Sequence, residues 1–326
     1  MSDVILRVDD LKTYFNTDDG IVKAVDGVSF ELKKGEMLGI VGESGSGKSV
    51  TNLSLMKLIP SPPGKIMNGT AMFDGENIFD MSDEEIRKLR GNRIGMIFQD
   101  PMTSLNPFLR ISTQMIETIV LHQKLEKDAA RNRAVEMLEM VGIPNPEKRI
   151  NDYPHQFSGG MRQRVMIAMA LSCDPEILIA DEPTSALDVT IQAQIIEVIQ
   201  ELSRKLNTAV IMITHDLGVV AGICDTVCVM YAGRIVEKGT NDEIFKDPKH
   251  PYTQGLIKSV PRLDQPSKER LFSIDGQPPN VIDLPECCPF HPRCDKAMAK
   301  CKNTYPPLTT FGEGREVRCW LYEEDK

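Results

Sequence analysis

The chain has 326 residues, 41% of them hydrophobic and 26% charged, with a formal net charge of −9. The length points to one large domain with an appendage, and the acidic balance argues against a protein that holds nucleic acid by bulk electrostatics. No stretch approaches the roughly 20 apolar residues that cross a bilayer, and the acidic segment from Met1 to Asp10 has no apolar signal-peptide core. A cytoplasmic chain is expected, with any membrane role running through partner proteins.

Residues 4 to 32 alternate apolar and polar on either side of Asp18-Asp19-Gly20, the pattern of antiparallel strands joined by a turn. Met37 to Val41 is a short apolar run ending at Gly42 and reads as a buried strand. From Ser49 the sequence is helical until Pro60, and residues 66 to 80 are strand-like about an Asp74-Gly75 turn. A helical stretch is expected over about 111 to 142, closed by Gly142 and Pro144, and another over 162 to 172. Ile177 to Ala180 and Ala209 to Ile213 are apolar strands, and Thr226 to Tyr231 pairs with Arg234 to Glu237 about Ala232-Gly233. Beyond Gly239 prolines multiply and periodicity fades. Strands alternating with helices predict an α/β parallel sheet covered on both faces, to which the early antiparallel segments and the middle helical block are additions.

Gly42-Glu43-Ser44-Gly45-Ser46-Gly47-Lys48-Ser49 matches the phosphate-loop pattern G-x-x-x-x-G-K-[ST], or Walker A, placed after a buried strand and before a helix, with Val50 counted in the same nucleotide-binding set. Glycines let successive N–H groups face a phosphate, and the helix behind adds its positive end. Lys48 would reach the β and γ phosphates, and the Ser49 hydroxyl would ligate Mg²⁺. The strand Ile177 to Ala180 ends in Asp181-Glu182. Such runs are common, and this one gains force from the phosphate loop: Asp181 would hold Mg²⁺ through water and Glu182 would polarise the attacking water. Ser158-Gly159-Gly160 precedes a helix that Ser158 would cap, and its glycines expose N–H groups. The chain's own phosphate loop already has a lysine and a helix end, so this second anion site would complete another subunit's nucleotide.

Phe157-Ser158-Gly159-Gly160-Met161 resembles the signature of the ATP-binding cassette (ABC) family, commonly Leu-Ser-Gly-Gly-Gln, with the central triplet intact and the flanks changed. The other family marks follow in order. Tyr14 matches the aromatic that stacks on adenine, with Phe15 as the alternative, and Gln99 matches the glutamine that touches Mg²⁺ and the attacking water. Ser185-Ala186-Leu187-Asp188 matches the loop that crosses the dimer interface, and His215 matches the histidine at the γ-phosphate. A lone histidine after a strand is ordinarily a polar cap; seven marks in order are not coincidence. The resemblance implies a P-loop NTPase fold with a RecA-like parallel core, an antiparallel β subdomain and an α-helical subdomain. The nucleotide-binding domain would span 1–240, its helical part about 100–160, followed by a small Cys-rich extension over 241–326. It also implies catalytic roles for Glu182, His215 and Gln99, and ATP hydrolysis by two cassettes closed head to tail.

Phe98-Gln99-Asp100-Pro101-Met102-Thr103-Ser104-Leu105-Asn106-Pro107, Tyr153-Pro154-His155-Gln156 and His250-Pro251-Tyr252-Thr253 resemble the dipeptide/oligopeptide and nickel importer ATPases, and Met166-Ile167-Ala168-Met169-Ala170-Leu171 resembles their D-type subunit. The resemblance implies an F-type partner cassette (or a second copy), two transmembrane permease subunits and an extracellular solute-binding protein, with the chain peripheral on the cytoplasmic face of the membrane. Peptide is favoured over nickel, and a soluble non-transport ABC ATPase is the other alternative.

Cys173, Cys224 and Cys228 lie in apolar surroundings and read as small core residues. Cys287, Cys288, Cys294, Cys301 and Cys319 crowd the last forty residues. In a reducing compartment such a cluster suits zinc or an iron–sulfur cluster better than disulfides. The resembled subgroup carries similar cysteines around a [4Fe–4S] cluster, which implies Cys288, Cys294, Cys301 and Cys319 as ligands. Zinc is the alternative, and Cys287 could replace Cys288. A Pro-rich tail has little core of its own, so a metal would fold it. His291, inside this loop, could serve as a ligand, but exposure is the favoured expectation.

Overall fold

The structure, a computed structural model, describes residues 3–185, 187–260, 273–282, 284–312 and 314–323. Met1, Ser2 and Ala186, which figure in the readings above, lie outside the described residues, as do the side chains of Pro101 and Met102. The described strands are β1 Val4–Thr17, β2 Gly20–Lys33, β3 Met37–Val41, β4 Gly64–Phe73, β5 Glu76–Asn77, β6 Ile94–Ile97, β7 Ile177–Asp181, β8 Ala209–Thr214, β9 Thr226–Tyr231, β10 Arg234–Thr240, β11 Thr309–Phe311 and β12 Arg315–Val317. The described helices are α1 Lys48–Leu55, α2 Asp83–Leu89, α3 Pro101–Ser104, α4 Ile111–Gln123, α5 Lys127–Met140, α6 Pro146–Arg149, α7 Gly159–Leu171, α8 Val189–Leu206, α9 Leu217–Ile223, α10 Asn241–Lys246 and α11 Pro251–Ser259. They divide between two compact units, one of Met1–Asp3, Leu32–Met37 and Asp80–Ile213, the other of Val4–Glu31, Leu38–Phe79 and Thr214–Lys326.

In the first unit β6, β7 and β8 run parallel, with Ile94 opposite Ile177 and Ile177 opposite Ala209. Their continuous apolar runs are buried, as strands covered on both faces require. The stretch expected as one helix over 111 to 142 is two, α4 and α5, because Lys124 turns left-handed at φ 55° and closes α4 with a bond from its N–H to the Val120 carbonyl. Helix α7 starts at Gly159 rather than 162, since Ser158 caps it. The 18-residue α8 was not among the expected elements. Its signals are local: an Asp188 cap, a buried stripe of Ile195, Ile196, Ile199 and Leu202, and a left-handed Asn207 at its end.

The second unit holds an antiparallel sheet in the order β2-β1-β4-β5. It also holds β3 parallel to β9, from which β10, β12 and β11 continue antiparallel. Helix α1 stops at Leu55, short of Pro60. Past residue 240, where periodicity faded, two short helices are set by their caps: Thr240 and Glu243 form a capping box for α10, and His250 caps α11.

The extension packs both against residues 214–240 and within itself. Strand β12 pairs with β10, Glu237 opposite Val317. Phe290 lies 5.3 Å from Tyr231, 5.4 Å from Tyr252 and 5.8 Å from His250, ring centre to ring centre. Glu237, fully buried, accepts hydrogen bonds from the backbone N–H groups of Lys249 and His250, both at 2.8 Å.

Burial holds the His250 imidazole down to about 3, and its Nδ1 accepts the Tyr252 N–H at 3.0 Å. An unfolded histidine takes up a proton below about pH 6.5. Between these values the unfolded state binds more protons, so stability falls as pH falls. Lowering the pH from 7 to 5 is expected to remove about 2 kcal/mol through this group. Denaturant unfolding at the two pH values checks it, and His250→Asn, which keeps an acceptor for Tyr252, should flatten the dependence.

Candidate functional site

In the second unit, the buried strand β3 delivers the chain into the loop from Gly42 to Gly47, and α1 starts at Lys48. Ser44 and Gly45 are exposed, while Gly42, Ser46 and Lys48 are buried. Gly47 has φ 102°, and a Cβ on it would lie 2.2 Å from the Ala24 carbonyl oxygen, so only glycine fits there. From behind, the Gly233 N–H donates to the Ser46 carbonyl at 2.9 Å. Lys48 Nζ donates to the carbonyls of Gly42 at 2.8 Å and Glu43 at 3.0 Å. With these carbonyls engaged, the loop's remaining N–H groups and the N-terminal end of α1 are available to cradle an anion. The Ser46 hydroxyl is buried without a hydrogen-bond partner, a spare donor in the same loop.

Tyr14 is half-buried, and its hydroxyl donates to Asp26 Oδ1 at 2.6 Å. Asp26 Oδ2 in turn accepts from Arg234 Nη2 at 2.5 Å and Nε at 3.0 Å. Burial alone would push the Asp26 carboxyl upward, but the hydrogen bonds from Tyr14 and Arg234 outweigh it and hold the group below its ordinary value. Burial and the neighbouring Asp26 raise the Tyr14 phenol. Of the two candidate aromatics, Tyr14 is thus the one fixed beside β2, while Phe15 lies against Gly64. His215, after β8, is exposed, and the adjacent Asp216 caps α9 by accepting the Gly218 N–H at 2.8 Å.

In the first unit, Asp181 ends β7 and is buried. Glu182 follows in the left-handed region at φ 46°, a conformation that costs a side-chain-bearing residue about 1–2 kcal/mol. The turn is held by the Glu182 N–H, which donates to the Ile213 carbonyl at 2.9 Å. It points the carboxylate at Gln99, whose Nε2 donates to Glu182 Oε2 at 3.0 Å. Two residues singled out separately, 83 positions apart, therefore meet. Ser158 Oγ accepts the Met161 N–H at 3.3 Å, so it does cap α7, and Ser158 and Gly159 are exposed. Asp188 caps α8 by accepting the Ile191 N–H at 3.0 Å. A Cβ on Gly160 would lie 2.8 Å from Ile191 Cγ2, which brings the signature turn against the start of that helix.

Cys173, Cys224 and Cys228 are buried, as expected of core residues. Among the described residues no three or more His, Cys, Asp or Glu side chains are drawn into a group able to hold a metal ion. The expected set of Cys288, Cys294, Cys301 and Cys319 is thus not drawn into such a group. They do influence one another. Burial chiefly pushes Cys288 up to about 12 and Cys319 up to about 11, and the thiols of Cys294 and Cys301 add to both. Cys287 is raised by burial alone, and its Sγ lies 3.8 Å from His291 Nδ1. His291 is half-buried rather than exposed, with Nδ1 2.8 Å from the Cys288 carbonyl.

Two residues that touch the phosphate loop were not read from the sequence. The Tyr252 hydroxyl accepts the Glu43 N–H at 2.9 Å, and Arg293 forms a two-pronged ion pair with the Glu43 carboxylate. Tyr252 belongs to the His250-Pro251-Tyr252-Thr253 segment singled out without a role, and Arg293 lies between two of the clustered cysteines.

A glycine-rich loop of this sequence pattern at the head of a helix, after a buried parallel strand, defines a P-loop nucleotide-binding protein. Residues 25–185 match the family described as ABC transporter, and residues 236–301 match the oligopeptide/dipeptide transporter C-terminal region. The chain is 54% identical over 321 residues to the oligopeptide transport ATP-binding protein OppD of Bacillus subtilis, covering 98% of this chain and 90% of that protein. It is 53% identical over 320 residues to the dipeptide transport ATP-binding protein DppD of the same organism, covering 98% and 95%. Among solved structures it is similar to the ATP-binding cassette MJ0796 in a dimeric post-hydrolysis state bound to ADP and Pi, with TM-score 0.65 and 28% identity over 72% of this chain and 98% of that one. It is also similar to cbiO1 of Clostridium perfringens, with TM-score 0.64 and 32% identity over 75% and 92%. The chain belongs to the ABC transporter family, as an ATPase subunit carrying the oligopeptide/dipeptide C-terminal region.

Gly47→Ala is expected to weaken ATP binding by more than about tenfold, because the new methyl displaces the loop from Ala24. Titration of the purified chain with a fluorescent ATP analogue reads this, and an affinity equal to wild type would refute the cradle.

Proposed function

We propose that this chain is the D-type motor subunit of an importer of dipeptides or oligopeptides. The observation that carries this reading is the extent of the similarity: it runs at 54% identity over 98% of the chain, through the extension as well as the cassette. Residues 1–240 are the nucleotide-binding domain, with 100–160 its helical part, and 241–326 are the extension. The partners are a second cassette of F type or a second copy, two transmembrane permease subunits and, indirectly, an extracellular solute-binding protein. No described helix is long and apolar enough to cross a membrane; the place of the chain, peripheral at the cytoplasmic face, follows from its role as the ATPase subunit of an importer.

Within the cassette, the loop from Gly42 to Val50 binds the phosphates of ATP, with Lys48 on the β and γ groups and the spare Ser46 hydroxyl as a further donor. Tyr14 supports the adenine. Ser49 and Gln99 would supply a hydroxyl and an amide oxygen, hard donors of the kind Mg²⁺ prefers, and Asp181 would hold the ion through water; bound Mg²⁺ would supply charge to neutralise the transferring phosphoryl group. Glu182 takes up the proton of the attacking water, Gln99 holds the carboxylate in line, and His215 contacts the γ-phosphate. Ser158, Gly159, Gly160 and Asp188 serve the nucleotide of the partner cassette. Glu182→Gln is expected to retain ATP binding and lower hydrolysis by the assembled transporter at least about a hundredfold, the scale of a lost general base. Phosphate release from complexes purified from native membranes measures it. Recovery of the chain with ribosomes or DNA, instead of with two multi-span proteins and a second cassette, would sink the reading.

The clustered thiols support a second assignment, a [4Fe–4S] cluster on Cys288, Cys294, Cys301 and Cys319, with zinc as the alternative. The mutual influence of these four favours Cys288 over Cys287, which faces His291 instead. Anaerobically purified protein is expected to absorb at about 400 nm, as thiolate–iron charge transfer does. Cys288→Ser should abolish the band and Cys287→Ser should keep it; a colourless protein with one bound zinc would decide for zinc.

A further inference from the structure

We propose that Arg293 is a positioning residue for ATP: by gripping Glu43 it fixes the phosphate loop, so that nucleotide affinity depends on the cysteine-bearing extension. This rests on the ATP-binding reading of the loop.

Arg293 Nη1 donates to Glu43 Oε2 at 2.6 Å and Nη2 to Oε1 at 2.9 Å, a bidentate pair in which the arginine side chain is only 4% exposed. Its remaining bonds go to the Tyr231 hydroxyl at 3.3 Å, the Ile274 carbonyl at 3.3 Å and the Asp275 carbonyl at 3.0 Å. These contacts occupy the whole donor fork, so the side chain has one orientation. Tyr252 takes the Glu43 N–H from the other side at 2.9 Å. Both the carboxylate and the main chain of Glu43, the second residue of the loop, are thus held by residues beyond 240. A glycine-rich loop has conformational freedom to lose when it closes on phosphate, and a loop ordered in advance loses less.

Two further contacts tie the extension to the same half-site. Val22 and Ile282 form an antiparallel bridge, next to the Ala24 carbonyl that meets Gly47. Tyr305 stacks under the Arg234 guanidinium at 3.9 Å, and Arg234 holds Asp26, the acceptor of the Tyr14 hydroxyl. The extension therefore reaches both the phosphate end and Tyr14.

The test titrates the full chain with a fluorescent ATP analogue, comparing wild type with Arg293→Gln, Arg293→Lys, Glu43→Gln and the Arg293→Gln/Glu43→Gln double variant. Each glutamine single variant is expected to bind about five- to tenfold more weakly, a range typical for loss of a charged hydrogen-bonded pair. The double variant should be no weaker than the worse single, and Arg293→Lys should recover part of the loss because it restores the charge but not the fork. Glu43→Gln lies outside the extension and keeps its shape, so a folding defect at Arg293 does not obscure the result. Affinities within twofold of wild type in both single variants, or losses that add in the double, would overturn the proposal while leaving the ATPase reading intact. A wild-type chain that does not bind the analogue would overturn that reading, and this one with it.

Discussion

The close backbone approach of Gly47 to Ala24 is the constraint on which the second unit depends. A phosphate loop binds an anion only if its N–H groups point outward and its carbonyls are engaged elsewhere. Here Gly233 takes the Ser46 carbonyl, and Lys48 takes those of Gly42 and Glu43. That leaves no room for a side chain at 47, and it places the Ala232–Gly233 turn of the β9–β10 hairpin against the loop. The hairpin in turn is the edge on which β12 is laid, so the strand that supports the nucleotide loop also anchors the extension.

In the first unit the corresponding feature is strain at Glu182. A left-handed glutamate is tolerated because its N–H is satisfied by Ile213 and its carboxylate by Gln99. An acid at the end of a straight strand would continue along the sheet; the turn redirects it. The hydrogen bond from Gln99 then does two things. It orients the carboxylate, and it makes the position of that carboxylate depend on the segment that carries Gln99.

Much of this was legible in the sequence because phosphate chemistry needs contiguous residues. The loop from Gly42 to Ser49, the Asp181-Glu182 strand end and the Ser158 cap are each encoded within a few positions, and each stands where its pattern implied. Other features depend on tertiary contact. Nothing local says that Lys124 leaves the helical region, splitting one helix into α4 and α5. Cys288 is influenced by the thiols of Cys294, Cys301 and Cys319 while its neighbour Cys287 is not, and adjacent positions in sequence carry no sign of that difference. The Arg293–Glu43 pair spans 250 positions. Helix α8 is a different case: its cap, apolar stripe and stop are all local, and were there to be read.

The buried carboxylate of Glu237 carries a consequence for the order of events during synthesis. Its two partners are the backbone N–H groups of Lys249 and His250, and an ion pair with Arg315 lies 3.8 Å away. A ribosome delivers β10 before any of these, so a nascent chain ending at the hairpin would expose a charged group that the finished protein seals away. The phosphate loop, the Asp181-Glu182 strand end and the Ser158 cap all precede that point. The surroundings of the Glu237 carboxylate are therefore complete only once residues 249, 250 and 315 have joined the strand that carries it.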